Sequence, residues 1–257
     1  MKEGYIPRNE RKKILLIADD IRVHSGVAQI AREFVIHSCH HYNFACVAGA
    51  VKHPDKGKAL NMNDAMGEIA GIKDAQVTIY PTNGYGDIQM IRSLMGIEKP
   101  DAIWIITDPR YYEWLFQNEG EFRRKVPVIY LNIWDDVPAP IYNKEFYESC
   151  DALLGISKQT VNINKMVLGD KAKGKILEYV PHGLNNKIFQ PIEDSDKKLQ
   201  EFKNKLLGDK EYDFILLFNS RNIRRKSIPD ALLAWKLFTE QLPPEKSKRT
   251  AFILKTD

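Results

Sequence analysis

Lys13-Ile14-Leu15-Leu16-Ile17-Ala18 is followed closely by His24-Ser25-Gly26-Val27-Ala28, and the pair reads as a strand handing over to a helix across Gly26 to His41. A short apolar run rich in β-branched residues, with no polar alternation, belongs to a strand buried on both faces. Outward from this unit the same pattern recurs. Strand-like runs fall at Phe44 to Ala48, Val77 to Tyr80, Ala102 to Thr107, Val128 to Asn132, Ala152 to Ser157 and Ile176 to Val180. Between most of them lie helix-length segments, notably Leu60 to Ile72, Asp87 to Ile97 and Lys158 to Leu168. Strands alternating with helices predict an α/β fold, a Rossmann-like parallel sheet covered on both faces.

After Pro191 the composition turns to EDSDKKLQEFKNKLLGDKEYD, charged and weakly apolar, as expected of a segment outside any core. The expected domains are therefore 1–190, a charged linker at 191–212, and 213–257. The last part opens with the strand Phe214 to Asn219, passes through SRNIRRKS into a helix over Ile228 to Glu240, and reaches another strand at Ala251 to Lys255. Two strands and one helix do not bury both faces of a sheet. The expectation is an incomplete, truncated second Rossmann-like domain that needs a missing segment or a partner to complete it.

Composition narrows the function classes. The chain has 257 residues, of which 44% are hydrophobic, and this excludes disordered and collagenous classes. Lys and Arg number 38 against 34 Asp and Glu, and the net charge of +4 does not mark a nucleic-acid or membrane binder. Cys39, Cys46 and Cys150 form no Cys-x-x-Cys pair, so reduced thiols are expected rather than a disulfide framework or zinc site. With no apolar run of the ~18 residues needed to span a bilayer and no signal-peptide core at MKEGYIPRNERKK, the expected location is cytoplasmic.

Two segments stand where an open α/β sheet binds ligands, at the carboxyl ends of strands. At His24-Ser25-Gly26-Val27-Ala28 the backbone N–H groups of a helix start, with glycine permitting close approach, suit an anion or a sugar hydroxyl; a plain Ser/Gly helix entry fits equally. Neither a G-x-G-x-x-G fingerprint nor a P-loop is present. The second segment, Asn219-Ser220-Arg221-Asn222-Ile223-Arg224-Arg225-Lys226, is a cationic turn between strand and helix. Arg binds two phosphate oxygens through its planar fork and Lys acts as a compact charge, a pair suited to a diphosphate; a solvated basic loop is the alternative.

Upstream, Tyr179-Val180-Pro181-His182-Gly183-Leu184-Asn185-Asn186-Lys187-Ile188-Phe189-Gln190-Pro191 resembles the P-N-G-V-D-x-x-x-F-x-P interdomain segment of family-4 retaining glycosyltransferases of the GT-B fold. SRNIRRKSIPDALLAWKLF resembles their G-R-x-x-x-x-K-G-x-x-x-L-L-x-A-F segment, Ser25-Gly26-Val27 their early G-G-V turn, and Leu154 to Thr160 their V-S-x-x-T strand end. The resemblance implies a GT-B-like pair of Rossmann-like domains, a nucleoside diphosphate sugar as co-substrate with no separate cofactor, and transfer to an acceptor hydroxyl with retained configuration. Carried over by position, Arg221 and Lys226 hold the donor diphosphate and serve as the catalytic charges. Gly26, Ser25 and Gly183 line the donor side, while Ser157 and His182 fall on the acceptor side. Ser227 stands where the family usually has glycine, and Asn185 where it has aspartate. The family's E-x7-E glutamates belong after Asp257, so the resemblance implies an impaired donor site in this chain as written.

Tyr130-Leu131-Asn132-Ile133-Trp134-Asp135-Asp136-Val137-Pro138 ends a strand where relatives carry a histidine and an aspartate; Asn132 and Asp135 are candidate hydroxyl ligands, with cap or turn roles as the alternative for the aspartates. Asp194-Ser195-Asp196 lies in the charged linker, and His37 with His41 lacks a third ligand, so no metal site is expected. Tyr111, Tyr112, Trp114 and Phe116 read as core or cleft wall. The acceptor class stays open among glycan, lipid, small molecule, protein and modified DNA. Two other functions compete: a non-catalytic sugar-nucleotide or carbohydrate-binding module, and a nucleic-acid binder acting through RNIRRK.

Overall fold

The computed structural model describes residues 3–208 and 210–256. The chain divides into two compact units, Met1–Gly183 and Leu184–Asp257. In the first, strands β1 (Lys12–Asp19), β2 (Tyr42–Gly49), β3 (Leu60–Asn61), β4 (Val77–Pro81), β5 (Ala102–Ile106), β6 (Val128–Asn132), β7 (Ala152–Gly155) and β8 (Ile176–Tyr179) form one sheet in the order β3-β4-β2-β1-β5-β6-β7-β8. Every pairing is parallel except β3 with β4. The intervening helices are α1 (Gly26–Ser38), α2 (Asn63–Ala70), α3 (Ile88–Glu98), α4 (Glu113–Phe116), α5 (Glu119–Arg123), α6 (Lys144–Glu148) and α7 (Lys158–Leu168).

Side chains alternate across the sheet with the two-residue period of a strand. Leu15, Ile17, Ala45, Val47, Ile103, Ile105, Val128, Tyr130 and Leu153 pack with residues of α3 to α7 on one face. Ile14, Leu16, Ala18, Phe44, Cys46, Val77, Ile79, Trp104 and Leu131 pack with α1 and α2 on the other. The chain moves outward from β1 to β4, then returns to place β5 on β1's other side. This reversal makes the carboxyl ends of β1 and β5 the topological switch point, the place at which such sheets bind ligands.

The expected helix Leu60 to Ile72 is shorter, because Leu60 and Asn61 pair antiparallel with Ile79 and Thr78 at the sheet edge before α2 begins. α1 stops at Ser38, where the Cys39 N–H still reaches Val35 O before the chain turns into β2. Likewise β7 ends at Gly155, since Ser157 is taken up as the cap of α7.

The second unit contains α8 (Lys197–Leu207), β9 (Phe214–Asn219), α9 (Ile228–Glu240), α10 (Pro244–Ser247) and β10 (Thr250–Lys255). β9 and β10 pair in parallel from Phe214 and Thr250 to Asn219 and Lys255. Trp235 of α9 stacks near Phe214 and Phe252 on one face of this pair. The segment expected as a bare charged linker is helical over α8, with Asp196 accepting a 2.9 Å bond from the Leu199 N–H as its cap. No helix among the described residues is long and apolar enough to cross a membrane.

Candidate functional site

Five of the sequence-derived residues gather at the carboxyl ends of the first sheet. Ser25 and Gly26 follow β1, Asn132 ends β6 with Asp135 just beyond, and Ser157 follows β7. His182 and Gly183 follow β8 and are exposed. Arg221 and Lys226 belong to the second unit, in the exposed turn between β9 and α9.

Ser25 does two jobs. Its Oγ accepts the Ala28 N–H at 3.0 Å, capping α1, and donates to Asp19 Oδ2 at 2.6 Å. Gly26 has normal helical backbone, and a Cβ built there meets no atom within 4 Å. Neither conformation nor packing demands a glycine, which leaves open space over the start of α1. Asp19 is 7% exposed, and its Oδ1 has no hydrogen-bond partner among the described residues. Burial raises its pKa, and the Ser25 hydrogen bond only partly opposes that. Its neighbour Asp20 is fully buried, but bonds from Arg22, with His53 close by, outweigh that burial and hold its carboxyl below the usual range.

Asn132, a candidate hydroxyl ligand by its place in the sequence, turns its side chain inward. It is 1% exposed, donating to Tyr147 Oη at 2.8 Å and to Asn164 Oδ1 at 2.6 Å, while its Oδ1 accepts the Trp134 N–H at 3.0 Å. The side chain turned inward because a polar group ending a buried strand must find partners, and α6 and α7 supply them. Asn132 thus positions the loop that follows, together with Thr160, whose Oγ1 donates to Trp134 O at 2.8 Å. Asp135 is exposed on that loop. Ser157 caps α7, its Oγ accepting the Thr160 N–H at 2.9 Å.

Near Asp19 stands a group of residues to which the sequence pattern assigned no site role. Thr107, directly after β5, is buried with φ of 144°, a strained backbone for a β-branched residue, and its carbonyl accepts the Tyr130 hydroxyl at 2.9 Å. Asp108 then caps the short turn Pro109–Tyr112 and binds the Arg110 guanidinium, Nε to Oδ1 at 2.9 Å. Burial, followed by the charges of Asp19 and others including Asp108, pushes the Tyr85 hydroxyl up to about 12. One sequence signal was available: a double aspartate ending an apolar strand puts carboxylates at the ligand-binding edge of the sheet.

In the second unit Ser220 N–H reaches Lys255 O at 3.1 Å, so the cationic turn grows directly out of the paired ends of β9 and β10. Arg224 to Lys226 form one 3-10 turn. Ser227, where the resembled family carries glycine, has φ of 46° and ψ of 50°, the left-handed backbone that glycine adopts most readily. It also starts α9, so the backbone geometry of a glycine-type βα turn is present without the glycine.

No protein-family model and no curated protein sequence matches the chain. Solved structures do. The E. coli trehalose-6-phosphate structure bound with UDP-2-fluoro glucose matches with a TM-score of 0.61 at 13% identity, over 96% of this chain and 65% of that one. An alpha,alpha-trehalose 6-phosphate synthase from Burkholderia multivorans matches at 0.56 and 11%, over 95% and 63%. A glycosyltransferase from Rickettsia africae matches at 0.55 and 10%, over 96% and 69%. The chain spans just under two thirds of the length of the first of these. Identities this low speak for architecture only, and the architecture they show is the α/β, Rossmann-like fold of GT-B glycosyltransferases.

Proposed function

We propose that the chain is part of a glycosyltransferase that moves a sugar from a nucleoside diphosphate sugar to an acceptor hydroxyl with retention of configuration. The observation that carries this reading is the turn after β9: Arg221 and Lys226 are presented at a strand's carboxyl end, ahead of the 13-residue helix α9, with Ser227 in a glycine-like backbone. A helix start and two cations together favour a diphosphate. The fold likeness to a structure bound with UDP-2-fluoro glucose supports the same class of donor.

In this reading the bond from the anomeric carbon to the diphosphate oxygen breaks as the acceptor oxygen bonds to that carbon on the same face. The acceptor proton passes to the departing phosphate oxygen, so no side chain is alkylated. Arg221 and Lys226 neutralise the charge that grows on the diphosphate, which is where preorganised cations lower a barrier most. Ser25 and Gly26 keep the donor side that the resemblance gives them, and the neighbouring Asp19, whose Oδ1 has no partner among the described residues, serves as a hydroxyl acceptor.

Calorimetric titration of the chain with UDP-glucose and GDP-mannose tests the donor reading. Each charge-assisted bond contributes about 1.5 to 3 kcal/mol, so Arg221→Ala or Lys226→Ala weakens binding about 10- to 150-fold. Unchanged affinity in both variants rejects the assignment. Binding of single-stranded DNA that collapses with salt, with no response to nucleotide sugars, favours the nucleic-acid alternative instead. Anomeric proton couplings of the product report retention or inversion.

A further inference from the structure

Tyr85, in the turn after β4, and Tyr111, after β5, stack with ring centroids 4.2 Å apart and planes 4° from parallel. Behind them Tyr112 meets Tyr85 edge-on at 5.6 Å and is wholly buried. The two inner rings fix the plane of the outer one, yet Tyr111 remains 50% exposed. Core packing does not explain a ring left half open, and a casual surface tyrosine would not be held in one orientation.

Its surroundings are polar and fixed as well. Arg110, the preceding residue, is gripped by Asp108 through Nε and Nη2, at 2.9 and 2.5 Å, an arrangement that does not use Nη1. Tyr142, 64% exposed and edge-to-face with Trp134, lies near enough to Arg110 for the two to interact electrostatically. Tyr85 in turn lies within electrostatic reach of Asp19. The rim beyond the carboxyl ends of β1, β4 and β5 therefore joins a flat, immobilised ring to a planar donor–acceptor pair.

We propose that this rim is a carbohydrate-binding subsite with the Tyr111 ring as its platform, and that the acceptor of the transfer is itself a sugar; the acceptor role, unlike the binding, rests on the transferase reading above. A pyranose has a face of C–H groups carrying slight positive charge, which lies favourably on the negative face of an aromatic ring. Its edge of neighbouring hydroxyls matches the Arg110–Asp108 pair, which offers donors and acceptors side by side. A nucleobase would also stack on tyrosine, but nucleic acid needs uncompensated cations along its backbone. Here Arg110 is paired with Asp108 and Arg22 with Asp20.

Saturation-transfer NMR on the intact chain provides the test, with the methyl pyranosides of glucose, galactose, mannose and xylose in one arm and dCMP and AMP in the other. The expected result is transfer to ring C–H protons of at least one pyranoside. Tyr111→Ala should weaken that ligand at least tenfold, and Tyr111→Phe, which keeps the ring, should restore it. Tyr111→Leu preserves apolar contact with Tyr85 and serves if the alanine variant misfolds; it too should lose binding. The proposal is overturned if no pyranoside binds, if binding survives both Tyr111→Ala and Tyr111→Leu in folded protein, or if only the mononucleotides bind through Tyr111. Titration of the same sample with UDP-glucose and GDP-mannose separates the two readings. Pyranoside binding without binding of UDP-glucose or GDP-mannose leaves the subsite standing and removes the donor assignment, whereas the converse removes the subsite alone.

Discussion

Replacing Asn132 by alanine removes four hydrogen bonds at once, those to Tyr147, Asn164 and the Trp134 N–H and a long one of 3.5 Å from the Tyr130 hydroxyl. Each neutral bond contributes about 1 kcal/mol net, and a partner left buried without a substitute costs about 1 to 3 kcal/mol. Tyr147 is fully buried, as is Asn164, so water does not readily replace the lost amide. A loss of about 3 kcal/mol is expected, several times the effect of an ordinary surface substitution. With a urea slope of about 2 to 3 kcal/mol per M, the unfolding midpoint should fall by about 1 to 1.5 M while the slope stays the same. Tryptophan fluorescence suits the measurement, because Trp134 sits on the loop that Asn132 anchors. A midpoint within about 0.2 M of the parent would show that the network contributes little and that the inward reading of this side chain is wrong. A sugar-contacting residue would behave in the opposite way, weakening ligand binding and leaving the midpoint in place.

Gly155→Ala should destabilise the first unit by about 1 to 3 kcal/mol, because the added Cβ would lie 2.8 Å from Val161 Cγ2 and 2.9 Å from the Val161 backbone nitrogen; an unshifted urea midpoint would refute it. Ser227→Gly should stabilise the second unit by up to about 1 kcal/mol by relieving a left-handed residue. A lower melting temperature in that variant would mean that the serine side chain matters more than its backbone. Asp19 has a raised pKa in the folded state, so folding favours its protonated form and its contribution turns unfavourable as pH climbs from the ordinary carboxylate range through the raised value. Asp19→Asn should therefore be more stable than the parent at neutral pH, with the difference shrinking toward pH of about 4. A difference independent of pH would disprove the linkage.

The sheet was legible because its strands are short apolar runs buried on both faces, which few other local structures imitate. β3 was not, since Leu60 and Asn61 carry no periodicity and owe their conformation to Ile79 and Thr78 of a strand far along the chain. The α8 helix was hidden by its charge, although Asp196 at its cap and the spacing of Leu199, Phe202 and Leu206 were there to be read. At the site, residue types at the ends of strands pointed to Ser25, Gly26, Arg221 and Lys226 without revealing which way a side chain turns. Asn132 faces inward because helices α6 and α7 bring it partners that no local pattern announces. The Tyr85–Tyr111 stack joins turns that follow two different strands, so neither turn alone distinguishes a platform from core.

The middle strand of the large sheet, β1, lies between β2, its close sequence neighbour, and β5, which begins at Ala102. During synthesis at about 5 to 20 residues per second, the roughly 80 residues separating Asp19 from Ala102 take about 4 to 16 s to emerge. For that interval one flank of this buried strand has no mate, and the nascent chain is exposed to wrong partners. A slow codon stretch or a chaperone acting on the ribosome before Ala102 appears should therefore change the yield of folded protein more than the same intervention placed later.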